Sequence, residues 1–563
     1  MILNALVKRY EDTQDVPPGW QRREVSYALD LSEDGELLGI VPLGDHSGKK
    51  PGKISLTLPS TGSGRSGKNA FETAYFLCDD GSYLLGLDPK KFESARQLHL
   101  KLLADVDADD AMAIKAFFAA GIPALPPDCN EKEASMQKFV FMFNGKRVDY
   151  EDGSEGVRSS WNSRNSKEKS EGKPVRCLVT GEMDTVIKLH DKVELRGVSM
   201  GKTPLVSMND QSSFRSYGAT THDPPAQIGS KAAFAYVSAL NSLLKSQKNC
   251  QHIGGDTLVY WAEDGGGAEE EIFSWLSQPK EEDSKKLDDI MKLAARGLPF
   301  DPEGCKQECL FYLLCLSPNA GRISVRFFYV SDFGTILRNN IAHYQRLEIH
   351  KAGSDKFHFL PPWILLSETT IKKTAADAAP LLGGQLYHSI ITGNRYPMTL
   401  YQAIVNRVRA GEEINKTKAA IVKAVLMRNY DEREVTSVAL NTQTDNKPYA
   451  LGRLFSVLEQ LQQRASGGGL NATIRDKYFA SACANPSSVF PTLLKLSIHH
   501  SAKLDNAVYY EILKTELLGK LDVDAPFPSA LALDDQGRFI LGYYHQTQDF
   551  FTSKKDKEAQ ENV

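Results

Sequence analysis

The rhythm of apolar and polar positions changes once along this chain, near residue 365. Before that point apolar residues come in short alternating runs. VSYALDLSEDGELLGIVPL (25–43) reads as two strands around Asp34-Gly35, and AYFLCDDGSYLLGL (74–87) as a second hairpin around Asp80-Gly81. Asp-Gly supplies the left-handed backbone that a tight hairpin turn needs. KISLTLP (53–59), KFVFMFNGKRV (138–148) and GRISVRFFYV (321–330) are further strand-like runs. Helical spacing interrupts them at AMAIKAFFAAG (111–121), which stops at Gly121, and at KAAFAYVSALNSLLKS (231–246). Residues 151–174 are polar and read as a linker; residues 262–286, around GGGAEEE, read as an acidic surface insertion.

Beyond 365 the period becomes helical. KAAIVKAVLM (418–427), ALGRLFSVLEQLQQR (450–464) and 506–521 predict helices, and Leu451, Leu454, Phe455, Leu458 and Leu461 fall on one face of the second. Asn485-Pro486 marks another start, a cap followed by proline at the first helical position. The predicted class is α+β: a mixed α/β region with antiparallel hairpins over 1–365, an all-α helical bundle over 366–551 and a flexible tail over 552–563.

Composition narrows the function classes. The 563 residues are 41% hydrophobic and 25% charged, which suits several packed domains. A net charge of −4 means that any phosphate-binding surface is a local patch. The N-terminus lacks a signal-like apolar core and no run approaches the ~18 apolar residues of a membrane span. The expectation is a cytoplasmic chain with no membrane partner, its eight scattered cysteines reduced. Cys305, Cys309 and Cys315 lack the closely spaced pairs of a zinc site, and nothing calls for a cofactor.

One stretch carries candidate chemistry. GSGRSGKN (62–69) meets the nucleotide-loop pattern at Gly62, Gly67 and Lys68 and fails at Asn69, where a hydroxyl should meet magnesium. A hairpin rather than a helix is expected after it, and no strand ending in Asp offers a second magnesium ligand, so ATP hydrolysis is set aside. Lys49, Lys50, Lys53, Arg65 and Lys68 are nonetheless five cations against Asp45 alone over residues 45–68. Glycines admit a phosphate ester and cations attract it, so the stretch is either a polynucleotide contact or a solvated loop. Asn69 could then read a base edge. H-E-x-x-H, G-x-S-x-G and histidine-aspartate nuclease patterns are missing, and nothing in the residues argues for an enzyme.

A series of segments adds a family. MILNALVKRYED, VSYALDLSEDGELLGIVPL, RSGKNAFETAYFLCDDGSYLLG, CLVTGE (177–182), SYGATTHDPPAQIGSKAAFAYVSALNSLL (216–244), LSPNAGRISVRFF (316–328), LGRLFSVLEQLQQRA (451–465) and QGRFILGYYHQTQDFF (536–551) resemble, in order, the large subunit of the type I-C CRISPR Cascade. The resemblance runs from Met1 to about Phe551, and departs where HDPPAQ (222–227) replaces a frequent Asn-Ala-Pro.

The resemblance implies a non-catalytic subunit that recognises the protospacer-adjacent motif in double-stranded target DNA and promotes R-loop formation. Its implied partners are a crRNA ribonucleoprotein with backbone and handle-binding subunits, and a helicase-nuclease recruited in trans. It also implies a small subunit made from the same gene by internal initiation near Met427, or at a valine codon at Val435 or Val438. The motif loop would comprise Lys49, Lys50, Lys53, Arg65, Ser66, Lys68 and Asn69, with Gln227 a wedge where the duplex parts. Arg407, Arg409, Lys416, Lys418, Lys423, Arg428, Arg453, Arg464, Arg475 and Lys477 would hold the displaced strand or a backbone. The rival classes are a nucleotide-dependent or nucleolytic enzyme and a purely structural scaffold.

Overall fold

The computed structural model describes the chain except residues 15, 46–51, 62–64, 66–72, 128, 170–173, 188, 200, 208–226, 264–266, 296–304, 354–358, 468–470 and 553–563, and the side chains of 165–169, 281, 284, 294 and 295. It forms an α+β protein with two compact units, residues 1–246 with 318–324, and residues 247–317 with 325–563.

The first unit is built on a five-stranded sheet in the order Leu37–Pro42, Tyr27–Leu31, Lys138–Phe143, Cys78–Asp80, with Lys146–Arg147 also paired to Lys138–Phe143. Tyr27–Leu31 and Leu37–Pro42 form the expected hairpin across Asp34-Gly35. Gly35 sits at φ 78°, and a Cβ there would lie 2.2 Å from the Phe117 nitrogen, so only glycine serves. Tyr27–Leu31 runs parallel to Lys138–Phe143 and its other partner is antiparallel. The strand period of two splits the core. Ala28 and Val140 face Val25, Leu56, Leu58 and Cys78, under the ribbon of Trp20–Val25 and Ile54–Pro59. Leu29, Leu31, Phe139 and Phe141 face the other way, against helices Pro89–Leu102 and Asp109–Ala120.

Three expectations are corrected in these elements. Asp80-Gly81 is not a hairpin turn: Asp80 accepts from the Ser82 N–H and caps a short helix, Gly81–Leu84, with all four residues buried. Aspartate serves a cap as readily as a turn, and burial of Tyr83 and Leu84 decides for the cap. The supposed linker contains the helix Glu155–Lys169. Its polar composition hides two anchors one turn apart, Val157 and Trp161, the latter stacked on Phe76 and donating to the Gly19 carbonyl at 2.7 Å. The supposed acidic insertion contains the helix Gly267–Ser277, which buries Ile272, Phe273 and Leu276. Glu269 and Glu270 are buried with it and accept from the backbone N–H groups of Lys306 and Ala262.

The second unit opens with a sheet in the order Cys250–Ile253, Asp256–Ala262, Leu310–Asn319, Arg322–Asp332, and is helical from Phe333 onward among its described residues. Helix Lys447–Ala465 is its axis: residues 449–461 are all buried, and Phe455 meets Phe479, Phe490 and Phe539 edge-on. Helix Lys416–Asn429 is enclosed on every side from Thr417 to Leu426, which explains a run with no polar face. No described helix is long and apolar enough to cross a membrane.

Candidate nucleic-acid interface

The first basic segment follows Pro42, at the Tyr27 end of the five-stranded sheet; the second follows Pro59 of the two-stranded ribbon and precedes Cys78–Asp80, where the Arg65 side chain reaches Asp79. Pro42 pairs with Tyr27, Tyr27 with Phe139, and Phe139 with Asp79, so these four residues form one row across four strands. Three interstrand steps of ~4.8 Å put Pro42 and Asp79 about 14 Å apart. Just past Pro42, Leu43 N–H donates to Ser26, and Gly44 packs on Gly52: a Cβ on Gly44 would stand 2.5 Å from the Gly52 carbonyl carbon. Gly44 and Asp45 thus lie against Gly52. Lys53, next to it, is exposed and pairs with Glu24 at 3.2 Å.

At the other end of the row, Arg65 returns to the sheet. Its Nη2 pairs with Asp79, its Nη1 lies 3.6 Å from Asp80, and its Nε donates to the Thr73 carbonyl at 2.6 Å. The guanidinium lies over the rings of Tyr75 and Tyr83, 4.0 and 3.7 Å from their centroids. Asp79 is fully buried and also accepts from the Tyr75 N–H at 2.9 Å, with Lys138 Nζ 3.8 Å away. Burial pushes its carboxyl above the ordinary range, while Arg65 and Lys138 pull it back. Thus Arg65 is committed to the protein, and residues 66–72 are bracketed between it and Thr73. Lys49, Lys50, Ser66, Lys68 and Asn69 lie outside the described residues, as does the tail from 553.

Sequence reasoning missed Asp79, Tyr75, Tyr83 and Lys138. A signal was present: two adjacent carboxylates inside an apolar run need a cation brought from elsewhere, and Arg65 precedes them by fourteen residues.

Gln227 is exposed, and its carbonyl accepts from the Leu178 N–H at 2.8 Å. The helix that follows, Ser230–Lys245, is capped by Asp184, which accepts from the Lys231 N–H at 2.9 Å. The cap fixes the approach and occupies the positive helix end with a carboxylate. The residues 222–226 before Gln227 lie outside the described residues.

The cations of the second unit divide by burial. Lys418, Lys423 and Arg453 are corrected as members of an exposed face: they are 2%, 2% and 1% exposed. Lys418 pairs with Glu368 at 2.8 Å, and Arg453 Nε donates to Gln546 at 3.0 Å. Lys423 donates to the Arg346 carbonyl at 3.2 Å, and burial pushes its ammonium down to about 8. Arg407 pairs with Glu412, which also holds Lys373 at 2.7 Å, and Arg475 donates to the Glu412 carbonyl. Lys416 and Arg428 are half-buried, Arg428 over the Tyr396 ring at 5.0 Å. Arg409, Arg464 and Lys477 are exposed. Among the described residues no group of three His, Cys, Asp or Glu side chains is placed to hold a metal ion.

A family model described as CRISPR-associated protein (Cas_Csd1) matches residues 3–551. No curated protein matches the chain.

Proposed function

The chain belongs to the Cas_Csd1 family of CRISPR-associated proteins, and from that premise we propose that it is the non-catalytic large subunit of a type I-C crRNA-guided complex. In this reading it recognises the protospacer-adjacent motif in duplex DNA, promotes R-loop formation and supports a helicase-nuclease recruited in trans. RNA–DNA pairing reads the long sequence in such systems, which leaves the protein a short duplex motif and the strand-opening step.

What supports the reading is the family match over residues 3–551, together with two glycine-bearing basic segments that flank the ribbon strand Ile54–Pro59. One has Gly44 against Gly52, and the other has Arg65 anchored on Asp79. Lys49, Lys50, Lys53 and Lys68 then hold phosphates and Asn69 reads a base edge. Gln227, with its backbone held and its side chain exposed, stands where the strands part. Exposed Arg409, Arg464 and Lys477 hold displaced strand.

The test is binding of the assembled complex to target duplexes across salt. Lys68→Ala should weaken all targets alike and reduce the salt slope by about one. Asn69→Ala should cost about 1–3 kcal/mol on the correct motif and less on a mutated one. If both variants bind as the parent does, the reading fails. For the wedge, permanganate footprinting of Gln227→Ala should show reduced opening at the motif-proximal bases.

A further inference from the structure

Several arginines of the second unit are paired with carboxylates: Arg326 with Asp256, Arg407 with Glu412 and Arg538 with Glu432. Arg346 and Arg428 are not; among the described residues neither forms an ion pair. They stand near the ends of helices Phe333–Leu347 and Lys416–Asn429, and both are half-buried. Each keeps an Nη1 atom that is buried and has no hydrogen-bond partner. Both address Tyr396. The Arg428 guanidinium lies 5.0 Å from its ring centroid, and burial raises the Tyr396 hydroxyl while the two guanidiniums pull it back. His343, one turn before Arg346, is 1% exposed and meets that hydroxyl through Nδ1 at 2.7 Å. Its Nε2 is also buried and unpartnered. No carboxylate acts on this group: burial and the two guanidiniums push the His343 imidazole down, and burial and Arg346 push Arg428 below its ordinary value. Glu348, two residues beyond Arg346, is exposed and acts on Lys423.

Two neighbouring cations with unmet buried donors are destabilising unless an anion completes them. The Gly393 side leaves room for one. Gly393, Asn394 and Arg395 are exposed, and a Cβ on Gly393 would stand 3.3 Å from the Arg428 Nη2 and 2.9 Å from the Asn339 Oδ1. A tetrahedral phosphate presents enough oxygens to accept from two planar guanidinium forks. We propose that Arg346 and Arg428, with Arg428 braced on Tyr396, form a site for one phosphate group of a nucleic-acid strand, either guide RNA or DNA. The proposal rests on the nucleic-acid reading above.

Inorganic phosphate is the first probe, on the full chain. In excess it should raise the melting temperature of the parent by about 2 °C relative to chloride at equal ionic strength. In Arg346→Gln and Arg428→Gln that rise should vanish, while their melting in chloride is no earlier than the parent's, because each removes an unpaired charge. A merely structural pair gives the reverse, no phosphate effect in the parent and earlier melting in both variants, and overturns the site. If R428Q fails to fold, R346Q decides. Short single strands of RNA and of DNA then identify the source. Losing one phosphate contact lowers the salt slope by about 0.7 for a single strand. The strand whose slope falls in R346Q is the one held. A phosphate effect with neither slope changed excludes nucleic acid as the ligand and overturns the proposal. Lys68→Ala, tested on duplex in the assembled complex, keeps the two levels apart. A weakened K68A beside unchanged R346Q slopes removes this site alone, whereas a parent-like K68A removes the nucleic-acid reading beneath it.

Discussion

Gly452 lies directly against the Phe539 carbonyl: a Cβ on Gly452 would stand 2.0 Å from that oxygen. Gly542 meets the Tyr449 carbonyl in the same way, at 2.1 Å. Helices Lys447–Ala465 and Leu533–Phe551 thus touch backbone to backbone at two points. Gly452→Ala should force the pair apart and cost about 3 kcal/mol, the upper range for overpacking. Urea midpoints read this, with Gly519→Ala, where a Cβ meets nothing within 4 Å, as the neutral control.

Burial separates cations that the sequence grouped together. Charge reversal at Arg409, Arg464 and Lys477 should leave the melting temperature near that of the parent and reduce stable R-loops while sparing motif binding. Arg453→Glu should instead cost about 3 kcal/mol or more of stability, because it leaves an uncompensated buried charge. An R-loop yield equal to the parent's in the triple variant would make that face mere solvent-exposed surface.

Three buried imidazoles set an acid limit. Burial pushes His99 down to about 4 and His343 and His545 down to about 3, the last two helped by neighbouring arginine and lysine side chains. Tyr396 and Tyr449 hydroxyls engage the Nδ1 of His343 and His545 at 2.7 and 2.9 Å. The unfolded chain takes up these protons near pH ~6.5, whereas the folded chain does not until pH 3–4. Their contribution is therefore complete above ~6.5 and lost as pH falls, at about 1.4 kcal/mol per histidine per pH unit. Urea unfolding at pH 7.5, 6 and 5 should show the decline, and His545→Asn should flatten it.

Internal initiation near Met427 should yield a second product. Both helices that meet at Gly452 and Phe539 follow Met427, so their packing can persist in the fragment. Proportion to 62.3 kDa for 563 residues puts it on the order of 15 kDa, enough for a small bundle core. Mass spectrometry of the complex made from the intact gene should find it in more than one copy. A complex that lacks it and still binds DNA fully would remove the idea.

The sequence by itself determined the elements whose cause is local. Asp34-Gly35 between alternating runs made a hairpin, and helical spacing ended at Gly121 made Asp109–Ala120. Glycines and lysines around 45–69 stood out in the sequence as a basic stretch. Where two local rules compete, distant packing chose. Asp80 became a cap because Tyr83 and Leu84 are buried there, and Glu155–Lys169 became a helix because Val157 and Trp161 find a core. The fate of each charge was likewise not local. Lys423 and Arg464 read alike on helices, yet one is enclosed between neighbouring helices and the other faces water. Arg65 belongs to the loop in sequence and to the sheet in space, because the strand Cys78–Asp80 brings a buried carboxylate that only a cation can satisfy.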